Sequence, residues 1–385
     1  MKNQIGDNMK ILHINSYFST SGLFSQLYDR QVNEGHELQV YVPIANNFSE
    51  ERLSVSGDYT TVVRPFKGYD RFIFHLKHYK ILKDLKERYK HESFDIIHAH
   101  SLFSNGWLAY QLSKTKHTPY VVAVRNADIR TFFKRMPWLR SMGIQIMKHA
   151  KKIVFISRNS YQEVLNHYIP VNFQEAFIKK TIVLPNGIDQ YWHDHIVNEP
   201  RQLSTDPLNI VSTGKVMGLK RFTQLASMVD AYHKQIGPAH LHIIGPDWNS
   251  NIVKSLEQMP HVTYHGPMAK EALVEFYRNM DIFVLLSSPE TFGLVYVEAM
   301  SQGLPVIYTK GEGFDSFFND GEVGMSVDKT DQRGFIHALQ YIQDNYDDIR
   351  QSLPDKIKQF DWDRIHQEYF DLYTTILEED TIEKS

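Results

Sequence analysis

The stretch from Asp281 to Thr309 restricts the fold more than any other part of the chain. The run that opens at Asp281 and ends at Leu286 is continuously apolar after its first residue, the pattern of a strand covered on both faces. Pro289 and Gly293 break the chain, and a helical pattern then runs from Leu294 to Gln302. Gly303 suits the left-handed cap of that helix, Pro305 forbids its continuation, and Val306-Ile307-Tyr308 opens a second buried strand. Strand, loop, helix and strand in about 30 residues make a parallel unit with a crossover helix. Such units are stable only inside a larger α/β sheet.

The same plan recurs in both halves. Lys10 to Asn15 reads as a strand, the Ser19-Thr20-Ser21-Gly22 turn follows, a helix occupies about Leu23 to Asn33, and Leu38 to Pro43 is the next strand. Phe94 to Ala99, Tyr120 to Val124, Ile153 to Ser157 and Thr181 to Leu184 continue the series up to the turn-rich hinge Pro185-Asn186-Gly187-Ile188-Asp189. Beyond the hinge the strands are expected at Leu208 to Ser212, His240 to Ile244, Val262 to His265, Asp281 to Leu286, Val306 to Thr309 and Gly324 to Val327. A length of 385 residues exceeds one comfortable core, and two domains are expected. The expected fold class is α/β: two Rossmann-like, doubly wound domains, 1–187 and 188–360, facing a cleft onto which strand carboxyl ends open. Residues 361–385 carry apolar positions at helical spacing through Trp362, Ile365, Tyr369, Tyr373 and Ile376.

Composition narrows the class further. No window approaches the ~20 uninterrupted apolar residues of a spanning helix. The opening residues, Met-Lys-Asn-Gln-Ile-Gly-Asp-Asn, lack the charged-then-apolar plan of a signal peptide. Zero cysteines exclude disulfides, thiolate metal sites and a cysteine nucleophile, which fits a cytoplasmic protein. The net charge of −3 conceals an asymmetry: residues 1–190 hold 26 Lys and Arg against 16 Asp and Glu, whereas residues 191–385 hold 16 against 29. The acidic half would repel a long polyanion, so nucleic acid is not an expected partner.

Chemistry concentrates in the strand-to-helix loop of the opening segment. Glu290 lies in that loop, Glu298 about one turn into the helix behind it, and the amides of Phe292, Gly293 and Leu294 offer an anion site at the helix N-terminus. A carboxylate beside an anion site suits a ligand that carries both phosphate and hydroxyls, as sugar nucleotides do. Glu290 and Glu298, with seven residues between them, resemble the E-x7-E signature of retaining glycosyltransferases of family 4, which have the two-domain architecture called GT-B. The surrounding words, Pro-Glu-Thr-Phe-Gly and Glu-Ala-Met-Ser-Gln-Gly-Leu-Pro-Val-Ile, carry the resemblance more specifically than the two acids, and it spans nearly the whole chain.

Upstream, Thr213-Gly214-Lys215-Val216-Met217-Gly218-Leu219-Lys220-Arg221 opens a helix after a strand. Gly214 permits close backbone approach to a diphosphate, and Lys215 and Lys220 would neutralise its charge. The family loop usually reads Gly-Arg-x4-Lys; here Lys215 replaces the arginine, which keeps the charge and loses bidentate geometry. Gly266-Pro267-Met268 resembles the family segment that contacts the nucleobase, and the resemblance gives Glu298 the ribose hydroxyls and Glu290 those of the donor sugar. Gly311, Gly313, Gly321 and Gly324 resemble the family's later glycine-rich loop and read equally as plain turns.

In the first half, strand alternation puts His98 and His100 on one side of the sheet and Ala99 on the other. No third metal ligand stands at a diagnostic spacing, and the motif resembles the family's Asp-x-x-His-x-His, whose second histidine lies over the donor sugar. His100 is therefore expected as a sugar contact and His98 as a core histidine. The Gly22 turn resembles the family's phosphate-side glycine loop, with the usual double glycine reduced to Ser21-Gly22. Arg125, Asn126 and Asp128 fall in the region expected for the acceptor. His193-Asp194-His195 and Asp361-Trp362-Asp363 look metal-like, but the first follows the hinge and the second opens a helix where acids favour the dipole.

The resemblance implies a retaining, metal-independent hexosyl- or N-acetylhexosaminyl-transferase that needs no cofactor. His100, Lys220 and Glu290 are its expected catalytic residues, and a UDP-sugar is the expected donor. The departing phosphate would help to accept the proton of the acceptor, in place of the double displacement of retaining glycosidases. Residues 64–90 and 130–140 interleave Lys and Arg with Phe, Tyr, Leu, Ile and Trp, a pattern that fits either an anionic membrane surface or ordinary amphipathic packing. On the membrane reading, the enzyme sits on the inner face of the cell membrane and uses a sugar or lipid-linked acceptor in cell-envelope polysaccharide or glycolipid synthesis. Alternative readings are a non-catalytic GT-B partner subunit or glycan-binding protein, and a sugar-nucleotide epimerase.

Overall fold

The computed structural model describes residues 8–384 apart from 198, 200 and 205, so the start of the chain, read above for a leader, lies outside the described residues. The chain divides into two compact units. One takes the residues up to Ile156, Ser160–Pro185 and those from Trp362 onward; the other takes Ser157–Asn159 and Asn186–Asp361.

The first unit is built on seven strands: β1 Lys10–Ile14, β2 Glu37–Ala45, β3 Thr60–Phe66, β4 Ile96–Ala99, β5 Tyr120–Val124, β6 Lys152–Phe155 and β7 Thr181–Val183. They pair in parallel in the order β3-β2-β1-β4-β5-β6-β7. The second unit has six: β8 Leu208–Thr213, β9 Ala239–Ile244, β10 Val262–Tyr264, β11 Ile282–Leu285, β12 Val306–Thr309 and β13 Gly324–Val327. These are also parallel, in the order β10-β9-β8-β11-β12-β13. Both orders are the doubly wound one, in which the winding reverses between the first and fourth strands and opens a crevice at their carboxyl ends. The reversal falls between β1 and β4 in one unit and between β8 and β11 in the other.

Every expected strand is present to within two residues at either end. β3 is the addition. Its Thr60-Thr61 start and internal Pro65 do not read as a buried strand, and its burial alternates weakly because it lies at the sheet edge, where proline is tolerated.

Side chains cover both faces of the first sheet. The helix Trp362–Lys384 belongs to this unit: Trp362, Ile365, Tyr369, Tyr373 and Ile376 are buried with Ile11, Tyr28, Leu38 and Val40. Each such side chain contributes roughly 1.5–3 kcal/mol when fully buried. In the second unit, Gly293 (φ 87°) and Gly303 (φ 79°) are both left-handed and bracket the helix Leu294–Ser301. The punctuation read from the sequence is therefore used physically.

Candidate active site

In the second unit the loops after β8 and β11 meet at the winding reversal. Lys220 Nζ donates to Glu290 Oε2 at 2.8 Å, and Ser287 Oγ donates to the same oxygen at 3.1 Å. The two ion-pair partners are about one-fifth exposed, enough to be reached by a ligand. Gly214 (φ 148°) donates its amide to Ile244 O, and its own position leaves room for the Lys220 stem, which passes 3.3 Å from where a Cβ would stand. Gly245 is more constrained: a Cβ there would lie 1.9 Å from Gly214 O.

Lys215 behaves differently from Lys220. Its ammonium sits 4.2 Å from the centre of the exposed Trp248 ring, a cation–π contact across neighbouring loops. The two expected diphosphate cations thus have separate partners, an acid for Lys220 and an indole for Lys215.

Phe292 is 3% exposed and packs edge-on against Phe317 and Phe360 with ring centres 5.2 and 5.3 Å away. Its side chain is therefore an anchor, and only its amide, with those of Gly293 and Leu294, can serve an anion. The first amides of the helix Leu294–Ser301 have no intrahelical acceptor, which keeps that possibility intact. Behind the loop stands a group not foreseen from sequence. Glu312 accepts from the Glu290 amide at 2.7 Å and from Ser288 Oγ at 2.7 Å, and Lys329 Nζ donates to Ser288 Oγ at 2.9 Å. Gly313 returns a hydrogen bond from its amide to Glu290 O at 2.9 Å. Of the four later glycines, Gly313 is thus the one that shapes the Glu290 loop, whereas Gly324 admits close passage of the β12 backbone at Val306. The only signal for Glu312 was an acid between two glycines.

Glu298 stands on the helix behind this loop. Burial pushes its carboxyl up from the usual 4.5 to about 7; Lys270 opposes the shift and Asp189 adds to it. Between those pH values the folded protein keeps a proton that the unfolded chain releases, so stability falls as pH rises through that window. Glu298→Gln is expected to match the parent near pH 4.5 and to exceed it by about 1–3 kcal/mol at pH 8, read as a higher thermal midpoint. An equal midpoint at pH 8 would show that the carboxyl is not strained by burial. Met268 is partly buried just past Gly266 (φ 69°), whose carbonyl accepts from the Gly245 amide at 2.9 Å.

In the first unit the strand register explains the histidines. His13 on β1 lies directly beside His98 on β4, and alternation adds His100 to the same side. All three are fully buried. The third histidine, 87 residues before His100, could not be found from spacing. One ring nitrogen from each lies within 4.8 Å of the others, a grouping that could hold a metal ion. The rings of His98 and His100, however, stack at 4.0 Å and 22°, so their in-plane lone pairs run side by side more than they converge. His13 Nδ1 and His100 Nε2 are instead a hydrogen-bonded pair at 3.0 Å.

Phe24 packs edge-on to His100 at 4.8 Å, just after Gly22. A Cβ at Gly22 would meet nothing closer than Ser54 O at 3.9 Å, so the backbone does not demand glycine there. Arg125 Nε donates to His100 O at 3.2 Å, and its guanidinium lies 5.5 Å from the Phe24 ring. Asn126 is partly buried beside it.

Asp128 corrects the expectation placed on it. It is fully buried, and its oxygens accept from the amides of Leu102, Phe103 and Arg125 at 3.0, 3.0 and 2.8 Å. Burial raises its pKa to about 6 while those amides pull it down. Its work is to anchor the start of the helix after β4, and it offers no acceptor-facing oxygen. His193 and His195 turn to separate carbonyls, those of Phe360 and Tyr191, and Asp363 pairs with Arg30.

Comparison with known proteins agrees with this geometry. The model of glycosyl transferases group 1 matches residues 198–360, and that of Glycosyltransferase Family 4 matches residues 24–190. The chain is 25% identical over 325 residues to a D-inositol 3-phosphate glycosyltransferase of Geodermatophilus obscurus, covering 77% of this chain and 70% of that one. It is 22% identical over 336 residues to the alpha-monoglucosyldiacylglycerol synthase of Acholeplasma laidlawii, covering 80% and 81%. Sucrose-phosphate synthase from Thermosynechococcus elongatus superposes with a TM-score of 0.75 at 18% identity, over 96% of this chain and 100% of that one. The Anabaena protein HepE in complex with UDP and glucose gives 0.65 at 16% identity, over 95% and 100%. With both halves matched in order and both sheets doubly wound, the chain belongs to the family 4-type glycosyltransferases of GT-B architecture.

Proposed function

We propose that this glycosyltransferase moves a hexosyl or N-acetylhexosaminyl group from a nucleoside diphosphate donor to an acceptor hydroxyl with the anomeric configuration retained. The observation that carries the reading is the Lys220–Glu290 pair at the winding reversal, beside the open amides of the helix Leu294–Ser301. An incoming diphosphate replaces Glu290 as the partner of Lys220, and the freed carboxylate turns to the sugar hydroxyls. Charge that develops on the leaving diphosphate is met by Lys220, Lys215 and the amides of Gly293 and Leu294, in the role a metal ion plays elsewhere. Glu298 and Met268 serve the nucleoside, and His100 the transferred sugar. HepE, solved with UDP and glucose, supports UDP as the first nucleotide to test.

Arg125 and Asn126 remain proposed for the acceptor, without Asp128. The Acholeplasma relative, a synthase of a glucosyldiacylglycerol, supports a lipid-linked acceptor and a cell-envelope or glycolipid product. So does the surface of the first unit. Tyr69, Phe72, Ile73, Tyr79 and Trp138 are each more than half exposed, while Phe66, Ile81 and Phe133 of the same two stretches are buried. The stretches join through Phe74 and Phe132, whose rings meet edge-on at 5.7 Å. Lys67 and Arg71 stand over the outward rings of Tyr69 and Phe72. No helix among the described residues is long and apolar enough to cross a membrane. Peripheral attachment to the inner face of the cell membrane is the form of association this surface supports.

Mass spectrometry of products from a panel of UDP- and GDP-sugars against lipid-linked and free-sugar acceptors tests the function. An altered sugar formed without acceptor would point to an epimerase, and no ligand-induced rise in thermal midpoint with any nucleotide would point to a non-catalytic protein. For the membrane, co-sedimentation is expected with vesicles containing anionic lipid and not with neutral ones, at about 1 kcal/mol per engaged cation. Phe72→Ser with Trp138→Ser is expected to weaken it further. Equal recovery with both vesicle types would remove the membrane from the proposal.

A further inference from the structure

Gln31, on the helix Ser25–Asn33, is 1% exposed, and its carboxamide starts a chain of hydrogen bonds that runs through His13 to His100. We propose that the Gln31 carboxamide sets the tautomers of His13 and His100, and holds His100 with its proton on Nε2 and a bare lone pair on Nδ1. His100 then accepts a hydrogen bond from a hydroxyl of the transferred sugar. That last step rests on the function proposed above; the tautomer does not.

The carboxamide oxygen Oε1 faces His13 Nε2 at 2.9 Å. An amide oxygen only accepts, so His13 Nε2 carries the proton. Burial keeps His13 neutral, its pKa pushed down to about 3, and its Nδ1 therefore holds a lone pair. His100 Nε2 stands 3.0 Å from that lone pair and must supply the proton between them. The Tyr28 hydroxyl, 3.2 Å from the same nitrogen, gives the proton a second acceptor. Burial keeps His100 neutral as well, so one proton is all the ring has. Its Nδ1 is a buried acceptor with no partner among the described residues. His98 Nδ1 pairs separately with the Tyr373 hydroxyl at 2.6 Å. A reversed carboxamide would invert the first chain and turn His100 Nδ1 from an acceptor into a donor.

Gln31 and His13 are thus positioning residues that act through His100. Long-range 1H–15N spectra of the 15N-histidine-labelled full chain, assigned with His100→Asn, read the tautomer directly. The parent is expected to show His100 protonated at Nε2. Gln31→Met keeps the length and removes the acceptor; it is expected to mix the His13 and His100 tautomers and to lower kcat about tenfold, with the donor KM within about twofold. His13→Gln offers an amide oxygen to His100 Nε2 directly and is expected to keep the His100 tautomer. A proton on His100 Nδ1 in the parent, or an unchanged tautomer in Gln31→Met, overturns the proposal. So does a shift of all three rings with one equivalent of zinc chloride, which would make the cluster a metal site. A parent with the expected tautomer and no transferase activity leaves the wiring standing and fails the function reading instead.

Discussion

Lys220→Ala is expected to lower transfer by ~10²–10³ in kcat, the cost of removing one preorganised charge that meets a developing oxyanion. The structure sharpens this beyond a loss of positive charge. Lys220 Nζ is the closest partner of the Glu290 carboxylate, and its removal leaves that carboxylate held by Ser287 Oγ at 3.1 Å. Nucleotide binding should weaken together with turnover, since in the proposed mechanism the same ammonium serves ground state and transition state. Lys215→Ala is the internal comparison. Its ammonium rests on Trp248 at 4.2 Å, so part of its interaction energy is already satisfied within the protein, and a smaller loss is expected. Glu290→Gln separates the two roles in the opposite sense. It frees Lys220 from its ion pair, so UDP or GDP alone should bind at least as tightly while sugar transfer falls. A Lys220→Ala protein that transfers at the parental rate would refute the leaving-group assignment.

Gly313→Ala is expected to cost about 10² in turnover although Gly313 carries no side chain to offer a substrate. A Cβ there would stand 1.7 Å from Thr291 O and 2.8 Å from Phe292 N, both backbone atoms of the Glu290 loop. No rotamer change relieves a clash with backbone, so the loop must move by an ångström or more. Displacement on that scale at the carboxylate proposed to hold the sugar is worth about 10²-fold, and overpacking of this kind adds about 1–3 kcal/mol of destabilisation. Steady-state kinetics and thermal denaturation of the same sample separate the two effects. A variant with parental kinetics and stability would mean that the loop adapts without loss. Gly22→Ala provides the contrast: with 3.9 Å to its nearest neighbour, it should fold as the parent does.

How much of this site the sequence discloses follows the distance between partners along the chain. Glu290, Gly293 and Glu298 are legible because one strand-loop-helix segment places them, and its periodicity and punctuation are local. Lys220 is legible for the same reason, as a cation at a glycine-bearing helix start. Its bond to Glu290 joins residues 70 apart, and no local pattern encodes that contact. Glu312 looked like part of a plain turn, yet it holds the Glu290 loop from 22 residues downstream. Asp128 looked like a polar group past a strand end and is an internal anchor, because three amides converge on it from two loops. The aromatic and basic stretches could be read either way from composition. Packing divided them into an inner set that fills the core and an outer set left to solvent.

The amino-acid order alone determined where every strand but β3 lies to within two residues, that strands and helices alternate in two similar halves, and that cations and acids follow particular strands. These properties depend on apolar periodicity, proline and glycine geometry and backbone capping, all settled within a few residues. The folded molecule decided which strands became neighbours, and with them which side chains meet. The register of β1 against β4 set His13 beside His98, and the winding reversal set Lys220 against Glu290. Contacts of that kind arise from long-range sheet pairing, whose free energy is shared over whole faces and leaves no mark at any single position.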